Sequence, residues 1–266
     1  VVITGPGTSL TKVGTGTLTL NGSSSYGDGT TVNAGTLDLD ATSAIGTGSL
    51  TIAAGASVNS LRAFAISTDG AAAGRVVNVA GSLSMVDTEY VETYNLTAGL
   101  ITAPVSGNRY LRAPNVGLSI NSLAADASSE ITGQVDLTFN SATLDVADGT
   151  AADDLVISGN ISQNQGGGAG DKSLTKTGAG TLLLSGTNSY TGGTFINAGL
   201  VKAGSSRALG AENTDPSAVT IADGATLDIN RVTGNTGDFY YGMTIAGSGT
   251  EGQGALINTG ANGSTS

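Results

Sequence analysis

Residues 9–46 recur without a gap at 173–210, and this internal repeat limits what the chain can fold into more than any other property it has. Leu10 aligns with Leu174, Lys12 with Lys176, Gly14 and Gly16 with Gly178 and Gly180, Tyr26 with Tyr190, and Asn33-Ala34-Gly35 with Asn197-Ala198-Gly199. Within one copy, Thr17-Leu18-Thr19-Leu20 and Thr36-Leu37-Asp38-Leu39 alternate polar with apolar residues, and Thr30-Thr31-Val32 is β-branched. A period of two puts Leu18 and Leu20, and in the second copy Leu182 and Leu184, on an inner face and the threonines on an outer one. Between these strands stand Gly14, Gly16, Asn21-Gly22, Gly27-Asp28-Gly29 and Asn33-Ala34-Gly35, residues suited to tight corners. A unit this short cannot cover its own apolar face, so neighbouring coils must stack on it.

The shared phrase L-T-K-x-G-x-G-T-L-x-L-x-G-x-x-x-Y-x-x-G-T-x-(V/I)-N-A-G, at Ser9 to Asp40 and again at Ser173 to Gly204, resembles the autotransporter-associated β-strand repeat, also called the passenger-associated transport repeat. The resemblance implies an all-β chain folded as a right-handed parallel β-helix. It also implies export through the outer membrane of a Gram-negative cell to the surface, with the repeats supporting secretion and folding of the passenger. By the same resemblance, this segment is joined to a C-terminal outer-membrane β-barrel and does not itself span the membrane.

Composition agrees with stacked short strands. Forty-two glycines without a three-residue period exclude collagen, and charged residues at 12% with many Val, Ile and Leu exclude a disordered chain. Strand-like segments continue between the copies, among them Val76-Val77-Asn78-Val79, Gly117-Leu118-Ser119-Ile120 and Ala142-Thr143-Leu144-Asp145-Val146, so 1–266 reads as one β-helical segment. At roughly 20 to 25 residues per turn the chain makes about eleven coils. Two parts depart from this pattern: an irregular excursion at 86–114 and a flexible glycine-rich loop at 163–171. Val1 opens directly in strand-like sequence, so the chain reads as a piece of something longer.

A net charge of −11 with ten scattered basic residues argues against a nucleic-acid partner. No apolar run is long enough for a membrane helix. The chain has no cysteine and no histidine, which removes thiol chemistry, disulfides, Ser-His-Asp catalysis and histidine metal sites; no cofactor or metal is expected. Gly247-Ser248-Gly249-Thr250-Glu251-Gly252 fits a dinucleotide-loop spacing but opens no helix, and Gly166–Ser173 only approaches a phosphate loop or a calcium nonapeptide.

Two routes to function remain. Asp38 with Asp40, Asp145 with Asp148, and Asp153 with Asp154 are the paired acids that a polysaccharide-processing β-helix would need, although outward acids also keep a sheet face wet. The excursion at 86–114 gathers Tyr90, Tyr94, Arg109, Tyr110 and Arg112, residue types enriched in binding hot spots, against the plainer reading that Tyr90 and Tyr94 pack on the solenoid flank. The favoured expectation is a non-enzymatic stalk for adhesion or self-association, with a host or neighbouring-cell surface molecule or a second copy as partner. The alternative is a carbohydrate-active lyase or hydrolase.

Overall fold

Alternating short strands separated by glycine corners can satisfy their backbone hydrogen bonds only against neighbouring coils, and the structure, a computed structural model, shows that they do so in parallel. It describes residues 1–67, 74–103, 111–113, 117–137, 139–163, 170–212, 218–230 and 240–260. Among them, two eleven-stranded parallel sheets run the length of the molecule. Each coil gives one strand to each long sheet, matching the expected number of turns.

The first sheet takes Leu10–Lys12, Thr30–Val32, Leu50–Ile52, Val76–Val79, Thr93–Leu96, Leu118–Ser122, Ala142–Val146, Leu174–Thr177, Thr194–Ile196, Val219–Ile221 and Met243–Ile245. The second takes Thr17–Leu20, Thr36–Leu39, Ser57–Ser60, Ser82–Met85, Leu100–Thr102, Ser129–Ile131, Leu155–Ile157, Thr181–Leu184, Gly199–Ala203, Ala225–Asp228 and Leu256–Ile257. We number coils 1 to 11 in this order. Ten steps of about 4.8 Å make a rod of about 48 Å.

Alternation decides the interior. Leu20, Leu37, Leu39, Val58, Leu83, Ile101, Ile131, Leu155, Leu182, Leu184, Val201 and Leu227 from the second sheet face Val32, Ile52, Val77, Leu96, Ile120, Leu144, Ile196 and Ile221 from the first in one continuous core. Each such side chain contributes roughly 1.5 to 3 kcal/mol on full burial. Leu18 and Leu10 of coil 1 are partly buried, whereas their repeat counterparts Leu182 and Leu174, on which coil 7 is stacked, are wholly enclosed.

A third, four-stranded sheet of Glu89–Tyr90, Leu111–Arg112, Val135–Asp136 and Ile161–Ser162 closes coils 4 to 7, four of the five coils between the two repeat copies. The sequence reading treats 86–114 as an irregular excursion. Its described residues instead hold Thr93–Leu96 and Leu100–Thr102 in register with the strands before and after them. Tyr94 lies opposite Val77 and Ile120, an inward position, and Tyr90 lies on the third sheet, so these two tyrosines belong to coils 5 and 4. The proposed loop at 163–171 lies largely outside the described residues.

Candidate functional site

Each repeat copy occupies two successive coils, 1 and 2 or 8 and 9, and its shared residues sit where those coils meet. Lys12 and Lys176 stand at inward positions in the first sheet, on the ladder that continues as Val32 and Ile52 or as Ile196 and Ile221. Both are buried, and their stems line the core while the ammonium turns into the corner. Lys12 Nζ donates to the carbonyls of Val13 (3.4 Å), Gly14 (2.9 Å) and Ala34 (2.9 Å). Lys176 Nζ donates to those of Thr177 (2.8 Å), Gly178 (2.7 Å) and Ala198 (3.1 Å). In both copies one ammonium thereby ties the G-x-G corner of one coil to the N-A-G corner of the next. Burial lowers Lys176 to about 8, against the pull of Asp145 and Asp154 in the preceding coil.

The other repeat residues serve the same junction. Gly35 and Gly199 both adopt φ 67°, and a Cβ on either would stand 2.5 to 2.6 Å from the carbonyl oxygens of the corner below, so only glycine fits. Tyr26 and Tyr190 are buried on the side that, among the described residues, carries no strand in the repeat coils. Their hydroxyls hydrogen-bond Thr30 Oγ1 (2.5 Å) and Thr194 Oγ1 (2.7 Å) at the start of the next coil. Asn188 accepts from Ile161 N–H (2.8 Å) and donates to the Ala208 carbonyl (2.5 Å), joining the coils on either side of its own. The alignment exposes the shared glycines, tyrosines and threonines but neither Asn188, which stands opposite Ser24 of the first copy, nor the lysine's role: a lysine in an alternating strand reads as outward, and only the corner geometry shows its head turned to carbonyls.

The candidate partner-binding residues are dispersed. Tyr94 is fully buried, its hydroxyl unpaired and driven well above its ordinary pKa by desolvation, so it cannot meet a partner; the inward register of its strand corrects the sequence reading. Arg112 and Tyr90 are register partners on the third sheet. Arg112 is buried against Asp136 and over the Phe139 ring at 5.2 Å, an internal ion pair where a binding residue was expected. Tyr90 is half-buried with its ring 4.9 Å from that of Phe64. Arg109 and Tyr110 lie outside the described residues.

Beneath Tyr90's strand lies a polar cluster that the sequence does not announce. Glu89 is fully buried and accepts from Ser60 Oγ (2.5 Å), from the N–H groups of Ala65 (2.9 Å), Ile66 (3.1 Å) and Ser67 (3.3 Å), and from Ser67 Oγ (3.3 Å). Desolvation nonetheless raises it to about 7. Arg75, buried nearby, donates to the carbonyls of Gly48 and Gly46, both at 2.6 Å.

Of the paired acids, all but Asp148 are engaged by neighbouring groups of the fold. Asp38 accepts from Asn59 Nδ2 (2.8 Å), Asp40 pairs with Arg62 (2.8 Å), and Asp145 accepts from Thr177 Oγ1 (2.9 Å). Asp153 pairs with Lys202 (2.7 Å), while its neighbour Asp154 is buried and accepts from Gly149 N–H (2.8 Å) and Thr181 N–H (2.7 Å). On the outer face of the first sheet, Asn121 donates to Asn95 (2.7 Å), Asn95 to Asn78 (2.8 Å), and Asn78 to Thr51 (3.1 Å), a ladder whose groups satisfy one another. Among the described residues no cluster of three metal-ligating side chains occurs, and no helix is long and apolar enough to cross a membrane.

Comparison with known proteins follows the same residues. The passenger-associated-transport-repeat family matches at 10–39 and 174–205, the two-coil units that the lysines tie together. A segment of 120 residues is 38% identical to the adhesin BmaC autotransporter of Brucella suis biovar 1 (strain 1330). That match covers 45% of this chain and 3% of the adhesin, so the chain spans a small part of that relative's length. No solved structure matches the chain.

Proposed function

We propose that this chain, a segment of an autotransporter passenger built on two passenger-associated transport repeats, is a non-enzymatic β-helical stalk that holds adhesive or self-associating surface outside the cell. The passenger is exported through the outer membrane and works at the cell surface or beyond it. The whole of 1–266 serves as one length of stalk, and a C-terminal outer-membrane barrel anchors the polypeptide to which it belongs. Its partner is a surface molecule of a host or neighbouring cell, or a second passenger.

The observation that carries this reading is the uninterrupted stack of eleven coils whose buried polar groups join coil to coil. Such a stack offers a long outer surface on a stiff support. Five of the six paired acids, Asp148 being the exception, are bonded to neighbours of their own fold, which favours the stalk over the lyase or hydrolase.

The test is attachment. Beads coated with the purified chain are expected to clump or to bind cells, and soluble chain added in excess is expected to compete. Beads that stay dispersed and bind no cell, together with polysaccharide turnover lost on an Asp→Ala change, would reverse the assignment.

A further inference from the structure

We infer that the outer corner of coils 8 to 10 carries a groove for a saccharide unit without acidic groups, a ligand class that deepens the surface-adhesion reading and rests on it.

Three corners there are tight: residues 178–180, 197–198 and 222–224 each turn directly from the first sheet to the second. The corners of coils 7 and 11, residues 147–154 and 246–255, are longer. Both fold inward along the rod. From coil 7, the Ala152 carbonyl (3.3 Å) and Asp153 carboxylate (2.7 Å) meet Lys202 Nζ two coils ahead. From coil 11, Thr250 Oγ1 lies 3.1 Å from the carbonyls of both Gly199 and Gly224, reaching two coils back. Thr250 N–H also donates to Thr226 Oγ1 at 2.8 Å. The two long corners therefore converge on coil 9 and are pinned there.

Between them lies a groove of about 200 Å³ with Leu200 in its floor. That is below the roughly 300 Å³ at which drug-sized sites begin, a volume for one ring unit with the rest of a chain running along the rod. Asp148, Thr181, Glu251 and Gln253 line it, and their side chains have no hydrogen-bond or ion-pair partner among the described residues. This contrasts with the other acids discussed above. Two carboxylates, a hydroxyl and an amide around an aliphatic floor suit a ring that offers hydroxyl donors at its edge and C–H groups on its face. The lining contains no cation, and Lys202, on the same strand as Leu200, is paired with Asp153. Sulfated, uronic or phosphorylated ligands are repelled there, and the chain's charge of −11 adds to that. Carboxylate acceptors strengthen each hydroxyl contact by charge assistance.

The experiment is titration calorimetry of the purified chain with a neutral N-acetylhexosamine tetrasaccharide and with a sulfated or uronic tetrasaccharide of the same length. Saturable binding of the neutral probe is expected, with the acidic probe at least tenfold weaker. Asp148→Asn with Glu251→Gln should narrow that gap, and Leu200→Trp should abolish binding by filling the floor, with the melting temperature of each variant recorded as the check on folding. Absence of binding to wild type, a preference for the acidic probe, or binding unchanged in the folded variants would overturn the groove. The bead assay separates the two claims. Attachment that persists without sugar binding removes the groove alone, and wild-type beads that fail to attach remove the stalk reading whatever the groove binds.

Discussion

At the scale of a residue, Lys176 shows how a charge can belong to a β-solenoid core: its stem adds to an aliphatic ladder and its ammonium serves three corner carbonyls. Lys176→Met keeps the stem and removes the donor, so we expect a loss of about 1–3 kcal/mol in chemical denaturation. Arg62→Met, which removes an exposed pair with Asp40, should cost about 1 kcal/mol or less. Glu89 gives a pH signature. Its folded pKa of about 7 stands above the ordinary 4.5, so between those values the folded chain holds a proton that the unfolded chain has released. Its contribution to stability is therefore complete below pH 4.5, declines as pH rises to 7, and is flat beyond. Measured against Glu89→Gln, wild type should gain roughly 3 kcal/mol on acidification across that window. A gap that stays constant, or widens toward alkaline pH, would contradict the assignment. The repeat lysines were visible in the sequence as an aligned pair, but their burial was not, because residue type argues for the surface and only the neighbouring corner supplies the acceptors. Tyr94 misled in the same way: aromatic clustering points to a binding surface until the register turns the ring inward.

At the scale of a strand and its corner, alternation was readable from the letters wherever a strand had three or four residues. Leu182 faces the core and Leu183 the outside, so Leu182→Asp should abolish folding or cost several kcal/mol, while Leu183→Asp should leave the fold intact, as read by circular dichroism and melting. Equal effects would mean the faces are inverted. Gly199→Ala tests the corner. A Cβ 2.6 Å from two carbonyl oxygens, on a backbone at φ 67°, cannot be accommodated without parting coils 8 and 9. We expect a larger loss than for Gly55→Ala, where nothing stands within 4 Å. The third sheet escaped the sequence because its strands are two residues long, as in Glu89–Tyr90 and Val135–Asp136, too short to show a period. The groove on coil 9 escaped it for another reason: its polar residues come from coils far apart in the sequence, brought together only by stacking.

At the scale of the whole molecule, the parallel stack followed from the recurrence of a unit too small to bury itself, and the number of coils followed from a general solenoid turn of roughly 20 to 25 residues. Whether the outer surface binds cells was not legible, because the outward residues answer to solvent and leave no period to read. The central claim is that successive coils pair in parallel and in the stated register. The absence of cysteine permits a direct test without background thiols. Ser57 and Ser82 are register partners on coils 3 and 4, with their hydroxyls 2.9 Å apart. Leu100 is one coil further on, about 9.6 Å from Ser57 at the usual strand spacing and beyond disulfide reach. Mild oxidation of the Ser57→Cys, Ser82→Cys variant should form the cross-link nearly completely, and the Ser57→Cys, Leu100→Cys variant should stay reduced. The opposite pattern, or cross-linking of neither, would contradict the stack.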